Sequence, residues 1–265
     1  VRLASGLDAD LILSEEAMQR GWECLNLFAE RLQDIPLSHI KIAGTATLRL
    51  ATNVDKFLSK AEDILGTKIT VISGEEEANT IYQGVSYTSS SKQKRLVIDI
   101  GGASTELVAG DGDTPLISNS LNVGCVSFRE KYFADKQLST QNFTAAIEAA
   151  SDIIKPISVD FTTLGWQSVV GSSGTIQALT EILSHRQQSP VITKDFLQEI
   201  KQSLIEFKSI EQVDLDGLRI DRKPVLASGL SILIALFNCL QIKELKLSTG
   251  ALREGVLHAM LPQLP

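Results

Sequence analysis

The stretch Val97-Ile98-Asp99-Ile100-Gly101-Gly102-Ala103-Ser104-Thr105-Glu106-Leu107 brings more chemistry together than any other part of the chain. A carboxylate ends an apolar run, two glycines and two hydroxyls follow, and a second carboxylate closes the segment. Glycines let the backbone approach an anion closely and aim N–H groups at it. Ser104 and Thr105 can donate to phosphate oxygens, while Asp99 and Glu106 can hold Mg²⁺ directly or through water. A hairpin turn explains the glycines equally well, but an acid inside an apolar strand needs a partner. A second cradle is spelled by Val170-Gly171-Ser172-Ser173-Gly174-Thr175-Ile176, a strand entering a Gly/Ser loop and then a helix. First-turn amides attract phosphate there, although a plain Ser or Thr N-cap has the same look.

Ser73-Gly74-Glu75-Glu76-Glu77-Ala78 reads first as a capping box, with acids placed where the helix dipole favours them. Its functional reading has one of these glutamates face a cleft and deprotonate or orient a water; spacing does not choose among them. Arg49, in Thr45-Ala46-Thr47-Leu48-Arg49, and Arg253, in Thr249-Gly250-Ala251-Leu252-Arg253-Glu254-Gly255, each follow a strand-to-helix turn. Arginine pairs bidentately with phosphate, but its default place is a solvated surface or a structural ion pair. His39, His185 and His258 have neither triad nor metal spacing. Cys125 has no basic neighbour in sequence and reads as a buried apolar thiol.

These segments need elements to hold them. Apolar periodicity predicts a helix over 14–32, with Met18, Trp22, Leu25, Leu27, Phe28 and Leu32 on one stripe. Strands are expected at 40–43 and 68–72, with helices at 47–65 and 73–84. Three strand-like runs follow, at 95–100, 105–109 and 115–121, with Gly110-Asp111-Gly112-Asp113 as a hairpin signal. Helices are expected near 126–134, 140–155, 174–184, 193–207, 226–241 and 251–261, and strands at 168–170 and 244–247. The pattern is βα units, then an antiparallel meander, then further βα units, hence an α/β fold with a partly parallel sheet.

The chain has 265 residues, enough for one large or two modest domains, with 43% hydrophobic and 22% charged residues. A net charge of −7 argues against non-specific binding to nucleic acid, yet leaves room for a small anion held by backbone dipoles. The longest apolar run, Ile232 to Phe237, is too short to span a bilayer, and no signal pattern opens the chain. Three scattered cysteines indicate neither zinc nor a disulfide framework and fit a reducing cytoplasm.

The segments Thr45–Arg49, Ser73–Ala78, Val97–Leu107, Asn122–Phe128, Gly171–Thr175 and Leu252–Gly255 occur in the order found in the exopolyphosphatase/guanosine pentaphosphatase family, which the chain resembles along essentially its whole length. Ala103 in place of a third glycine, and the wording from Gly44 to Asn53, are most similar to the guanosine pentaphosphatase branch. The resemblance implies an actin-like ATPase (ribonuclease H-like) α/β fold of two lobes with a cleft between them. Lobe I would occupy 1–80, incomplete at its N-terminus, and lobe II, with the phosphate-binding loops, 81–265. Family members open with an Asp-Leu-Gly-Ser-Asn-Ser-like phosphate loop, and many carry an HD-like helical C-terminal region. Neither is found in this sequence.

By the same resemblance Glu77 is the catalytic residue, and Asp99 and Glu106 are ligands of Mg²⁺. Gly101, Gly102, Ser104, Gly171, Ser172, Ser173, Gly174 and Thr175 are implied to bind phosphate, with Arg49 and Arg253 as further phosphate ligands. The implied activity is removal of the terminal 5′-phosphate of pppGpp to give ppGpp and phosphate. Long-chain polyphosphate is the alternative substrate, and a non-catalytic nucleotide-binding module the alternative role. A homodimer of the full-length protein, without nucleic-acid or membrane partners, is expected.

Overall fold

The structure is a computed structural model that describes residues 1–261. Helix α1 (Glu15–Leu32) starts where the Ser14 hydroxyl accepts the Ala17 amide. It is followed by strand β1 (Ala43–Gly44), helices α2 (Ala46–Leu50) and α3 (Val54–Leu65), and strand β2 (Thr70–Val71). β1 and β2 form a two-stranded parallel sheet. Met18, Trp22, Leu48, Phe57, Ala61 and Ile69 share its small core, where the Trp22 indole stacks on Phe57 at 5.9 Å and donates to the Phe57 carbonyl. Leu27 and Phe28, expected on the buried stripe, are both more than half exposed. Leu27 falls about 140° round the helix from Trp22, so the apolar contact ends before it. One helix was expected over 47–65; two form, because Asn53 clamps both the N–H and the carbonyl of Leu13 and pulls the chain out of helical geometry.

Helix α4 (Gly74–Thr88) leads into the meander β3 (Arg95–Ile100), β4 (Thr105–Asp111) and β5 (Thr114–Leu121), with Gly112 at positive φ in the second turn. The rest alternates: α5 (Cys125–Tyr132), α6 (Thr140–Leu164), β6 (Ser168–Gly171), α7 (Gly174–His185), β7 (Val191–Thr193), α8 (Lys194–Glu206), α9 (Leu226–Cys239), β8 (Glu244–Leu247) and α10 (Leu252–Met260). The six-stranded sheet runs β5-β4-β3-β6-β8-β7, with β6 and β8 parallel to the β3 direction. Leaving out β7, this is the ribonuclease H-like order. The edge strand β7 was not anticipated: it has three residues, and the last, Thr193, also caps α8. Helix α6 was expected to stop near 155 but continues through Pro156, whose missing N–H faces solvent, while buried Phe161 holds the extension to the core. No helix among the described residues is long and apolar enough to cross a membrane.

Strand alternation divides the sheet into two chemistries. Leu96, Ile98, Ile100, Leu107 and Ala109 face the main core, which α6 and α9 cover. Arg95, Val97 and Asp99 face the other way, as do Glu106 and Val108, and α4 lies over that face through Ala78, Ile81, Tyr82 and Val85. The division expected at residue 80 therefore falls inside α4, whose apolar side belongs to the large sheet.

Helices α4 and α10 touch backbone to backbone. A Cβ at Gly84 would lie 2.0 Å from the Ala251 carbonyl oxygen, and one at Gly255 would lie 1.9 Å from that of Thr80. Neither obstacle is a flexible side chain, so the helices would have to separate. Gly84→Ala and Gly255→Ala are each expected to lower stability by about 1–3 kcal/mol, read as a melting temperature lower by several degrees. Unchanged melting would show that the contact is not rigid.

Candidate active site

A cleft of about 480 Å³ lies between the two parts of the chain, with Gly44, Thr45 and Thr47 on one wall and Asp99, Gly101, Gly102 and Ser172–Thr175 on the other. Ala4, Val126 and Val225 line it, and they pack with Ala46 and Ala103 in one apolar cluster. The volume is in the range of small-molecule sites.

The 101–104 loop is held from behind. The Gly101 amide donates to the Ser104 carbonyl at 2.8 Å, and Cys125 and Val126 donate to the Gly101 and Gly102 carbonyls, both at 2.9 Å. Gly124 makes this possible, since a Cβ there would stand 2.3 Å from the Gly102 oxygen. At Gly102 itself a Cβ would meet only ordinary contacts at 3.5 Å, so nothing inside the protein demands glycine at that point. Across the cleft, Ser173 caps α7 by accepting the Ile176 amide, which leaves first-turn amides of that helix directed at the cleft. Gly171 lies buried beneath the cleft rather than in its wall, and its missing Cβ makes room for Ile176.

The carboxylates come from three elements. Asp99 and Glu106 are partners across the β3–β4 ladder, and Glu77 sits in the first turn of α4 above them. Glu75 and Glu76 of the same turn are exposed on the outer side, while Glu77 is 6% exposed. Burial raises the Glu77 carboxyl, opposed by the Arg49 guanidinium, which donates to it at 3.1 Å. Arg49 also donates to the Ile72 carbonyl at 2.9 Å. It is therefore engaged in holding Glu77, not standing free for a phosphate as expected. Burial and the Glu77 charge push Asp99 up to about 6; the Ser172 hydroxyl is near enough to oppose this, without reaching hydrogen-bond geometry. Glu106, 2% exposed, is pushed up to about 8 by burial first and by Glu77 next, although Ser104 and Ser120 donate to its Oε1 at 2.6 and 2.8 Å.

Two further expectations are corrected by these contacts. The Ser104 hydroxyl is committed to Glu106, and Thr105 to the Val123 carbonyl, so neither is free to donate to a phosphate. Arg253 is not brought to the cleft: its side chain is 91% exposed on α10, beside Glu254. A cation that sequence reasoning missed takes its place. Arg222 is part of the cleft wall and lies over Gly174, where a Cβ would stand 2.3 Å from Nη1. It stands in Asp221-Arg222-Lys223-Pro224, with no strand-to-helix pattern around it; its one signal is a cation just ahead of the uncharged, largely apolar α9. Cys125 also reaches the cleft, but burial pushes its thiol up to about 11, too high for a nucleophile near neutral pH.

Among the described residues no three His, Cys, Asp or Glu side chains form a ready-made metal cage. Oxygen donors do suit a hard cation, however: Asp99 opens on the cleft beside the buried, partnerless hydroxyl of Ser172. Glu106 stands behind, outside the cleft wall, and can act on a cation there only through an intervening group.

The chain matches the Ppx/GppA phosphatase family over residues 1–264. It is similar to the guanosine-5′-triphosphate,3′-diphosphate pyrophosphatases of Photobacterium profundum, at 52% identity, and of Pseudoalteromonas translucida, at 54%. Each alignment covers 100% of this chain and 53% of the relative, so the chain spans about half the length of the curated relatives it matches. An exopolyphosphatase from Cytophaga hutchinsonii superposes with a TM-score of 0.84 at 20% identity, covering 96% of this chain and 85% of that one. The Aquifex aeolicus member of the Ppx/GppA family gives 0.74 at 23%, covering 98% and 86%. At such identities the likeness shows the fold alone. Phosphatases of this family are generally dependent on divalent metals.

The raised carboxyls make stability depend on pH. Folded Glu106 binds its proton more tightly than the unfolded chain, so its contribution is full below about 4.5 and is lost as pH rises towards about 8. In a chelator-containing buffer the melting temperature is expected to fall across that window, and to fall less in Glu106→Gln. Parallel pH curves for the two proteins would contradict this electrostatic picture.

Proposed function

The chain belongs to the Ppx/GppA phosphatase family, and from that premise we propose that it carries the catalytic core of a phosphoanhydride hydrolase acting on the 5′-triphosphate end of pppGpp. The observation that carries the reading is the facing pair of backbone cradles, with the buried Glu77 beside the Asp99 and Glu106 ladder pair. Phosphoryl transfer asks mostly for positioning and charge neutralisation, which such cradles supply. The names of the relatives at 52–54% identity support the nucleotide, and the net charge of −7 suits a compact anion better than a long polyanion.

In this reading the amides of Gly101, Gly102 and Ser172–Thr175 hold the phosphate chain, with Arg222 over the second loop. Glu77, kept in place by Arg49, accepts a proton from the attacking water. The new bond forms between water oxygen and the terminal phosphorus; the bond from that phosphorus to the bridging oxygen breaks, leaving ppGpp and phosphate. Asp99 is the residue that would hold Mg²⁺, with Glu106 acting on it from behind. The cation would neutralise phosphate charge when bound. A raised Glu77 carboxyl suits a base, because proton transfer is most efficient when the catalytic pKa lies near the working pH. A cytoplasmic location and a homodimer of the full-length protein belong to the same proposal.

Glu77→Gln in the full-length protein is expected to lower kcat for phosphate release from pppGpp by about 10²–10⁴-fold with little change in KM. Near-normal turnover would remove Glu77 from the mechanism. Gly102→Ala separates fold from ligand approach: it should melt like the parent, because its Cβ meets only ordinary contacts, and yet release phosphate more slowly. Equal turnover would show that the loop does not approach the phosphates. Polyphosphate that displaces pppGpp and is hydrolysed faster would shift the substrate to the polymer.

A further inference from the structure

Arg95 opens β3 with 2% of its surface exposed, and no ion pair among the described residues includes it. One guanidinium nitrogen, Nη2, donates to the Ser91 carbonyl, and Nη1 is buried without any partner. A guanidinium cannot shed its proton to escape this, so the site keeps a buried positive charge with an open donor. Of the acids whose titration Arg95 influences, Asp113 is exposed and already paired with Lys92 at 2.5 Å.

Beside the guanidinium is a pocket of about 280 Å³. Arg95 shares its wall with Thr88, Ser90, Ser168, Ser248 and Thr249, and no acidic side chain takes part. Lys246 pairs in register with Val170, another wall residue, which adds positive charge to the same face of the sheet. The pocket is separate from the cleft. Arg95 starts the strand that Asp99 nears the end of, four residues and roughly 13 Å further on at about 3.3 Å per residue.

We propose that this pocket is an anion site that takes one phosphoryl group, with the Arg95 guanidinium as the charged group of its wall and the Ser90, Ser168 and Thr249 hydroxyls completing the shell. A tetrahedral oxyanion suits donors arriving from a guanidinium on one side and from the Ser90, Ser168 and Thr249 hydroxyls on the others; Thr88 and Ser248 already donate to the Gly84 and Gly250 carbonyls at 3.0 and 2.9 Å. The volume of about 280 Å³ has room for a phosphate, and a nucleotide would enter by its phosphate end because the guanidinium and the hydroxyls recognise that end. The site does not depend on the chemistry assigned to the cleft.

Two-dimensional amide NMR of the chain tests it, with inorganic phosphate and guanosine monophosphate as separate probes and sodium chloride at matched ionic strength as control. Saturable shifts at Ser90, Ser168 and Thr249 are expected, with affinity reduced about tenfold or more in Ser168→Asp, whose carboxylate would occupy the guanidinium. Arg95→Gln should behave alike; if it fails to fold, Ser168→Asp, checked by melting, carries the comparison. Shifts with phosphate assign a free ion, and shifts with the nucleotide alone assign a phosphate borne on a larger ligand. Silence of these amides to both probes, equal shifts with chloride, or undiminished binding in a folded Ser168→Asp would overturn the proposal. Shifts confined to Gly102 and Gly174 would do the same and leave the reading of the cleft intact.

Discussion

Glu77, Asp99 and Glu106 come from α4, β3 and β4, yet they lie close enough that the Glu77 charge raises the proton affinity of both others. Like charges in a poorly hydrated crevice repel and lose solvation at once, so only a rigid surround keeps them together. The β3–β4 register sets Asp99 against Glu106. Ser104 and Ser120 hold Glu106 from one side, and Arg49 holds Glu77 from another. The apolar face of α4 on Val97 and Val108 fixes the distance between the glutamate and the ladder. Much of the large lobe can be read as the means of maintaining this unfavourable cluster. A divalent cation is the partner that would relieve it.

An acidic chain proposed to hold phosphates needs positive potential of a local kind. Here it comes from amides rather than from a basic surface. The loop at 101–104 is pinned by amides of the α5 turn, with Gly124 allowing backbone to lie on backbone, and α7 directs its first turn at the same space. Close glycine contacts recur between α4 and α10, where they set how near the helix bearing Glu77 sits to its neighbour. Cations are few by comparison: Arg2 and Arg222 in the cleft wall, the latter also paired with Asp221 at 3.5 Å, and Arg49 engaged with Glu77. Backbone dipoles lose no side-chain entropy on binding, and they work only while the loops stay where packing puts them.

Much of this was legible beforehand because the signals are local. A carboxylate ending an apolar run before Gly101-Gly102, and a Gly/Ser loop between strand and helix at 171–175, declare themselves through neighbours a few residues away. The meander, the capping of α4 by Ser73 and the long buried α9 follow from periodicity and composition in the same way. The three-residue β7, the passage of α6 through Pro156 and the break at Asn53 depend on distant partners, and periodicity passed over them. The outward turn of Leu27 and Phe28 belongs with them, since a stripe on one helix says nothing of where its contact ends.

The sequence by itself determined the two cradles, the kinds of group at the site and the α/β class, because each rests on spacing along the chain. Only the tertiary structure decided which glutamate of Glu75, Glu76 and Glu77 turns inward, since adjacent positions on a helix point about 100° apart and only packing of the helix selects one. It likewise gave Ser104 to Glu106 and Arg49 to Glu77, placed Arg222 in the cleft and left Arg253 in solvent. A long side chain bearing a charge is satisfied by whatever lies within reach of its tip, and what lies there is set by elements far away in sequence.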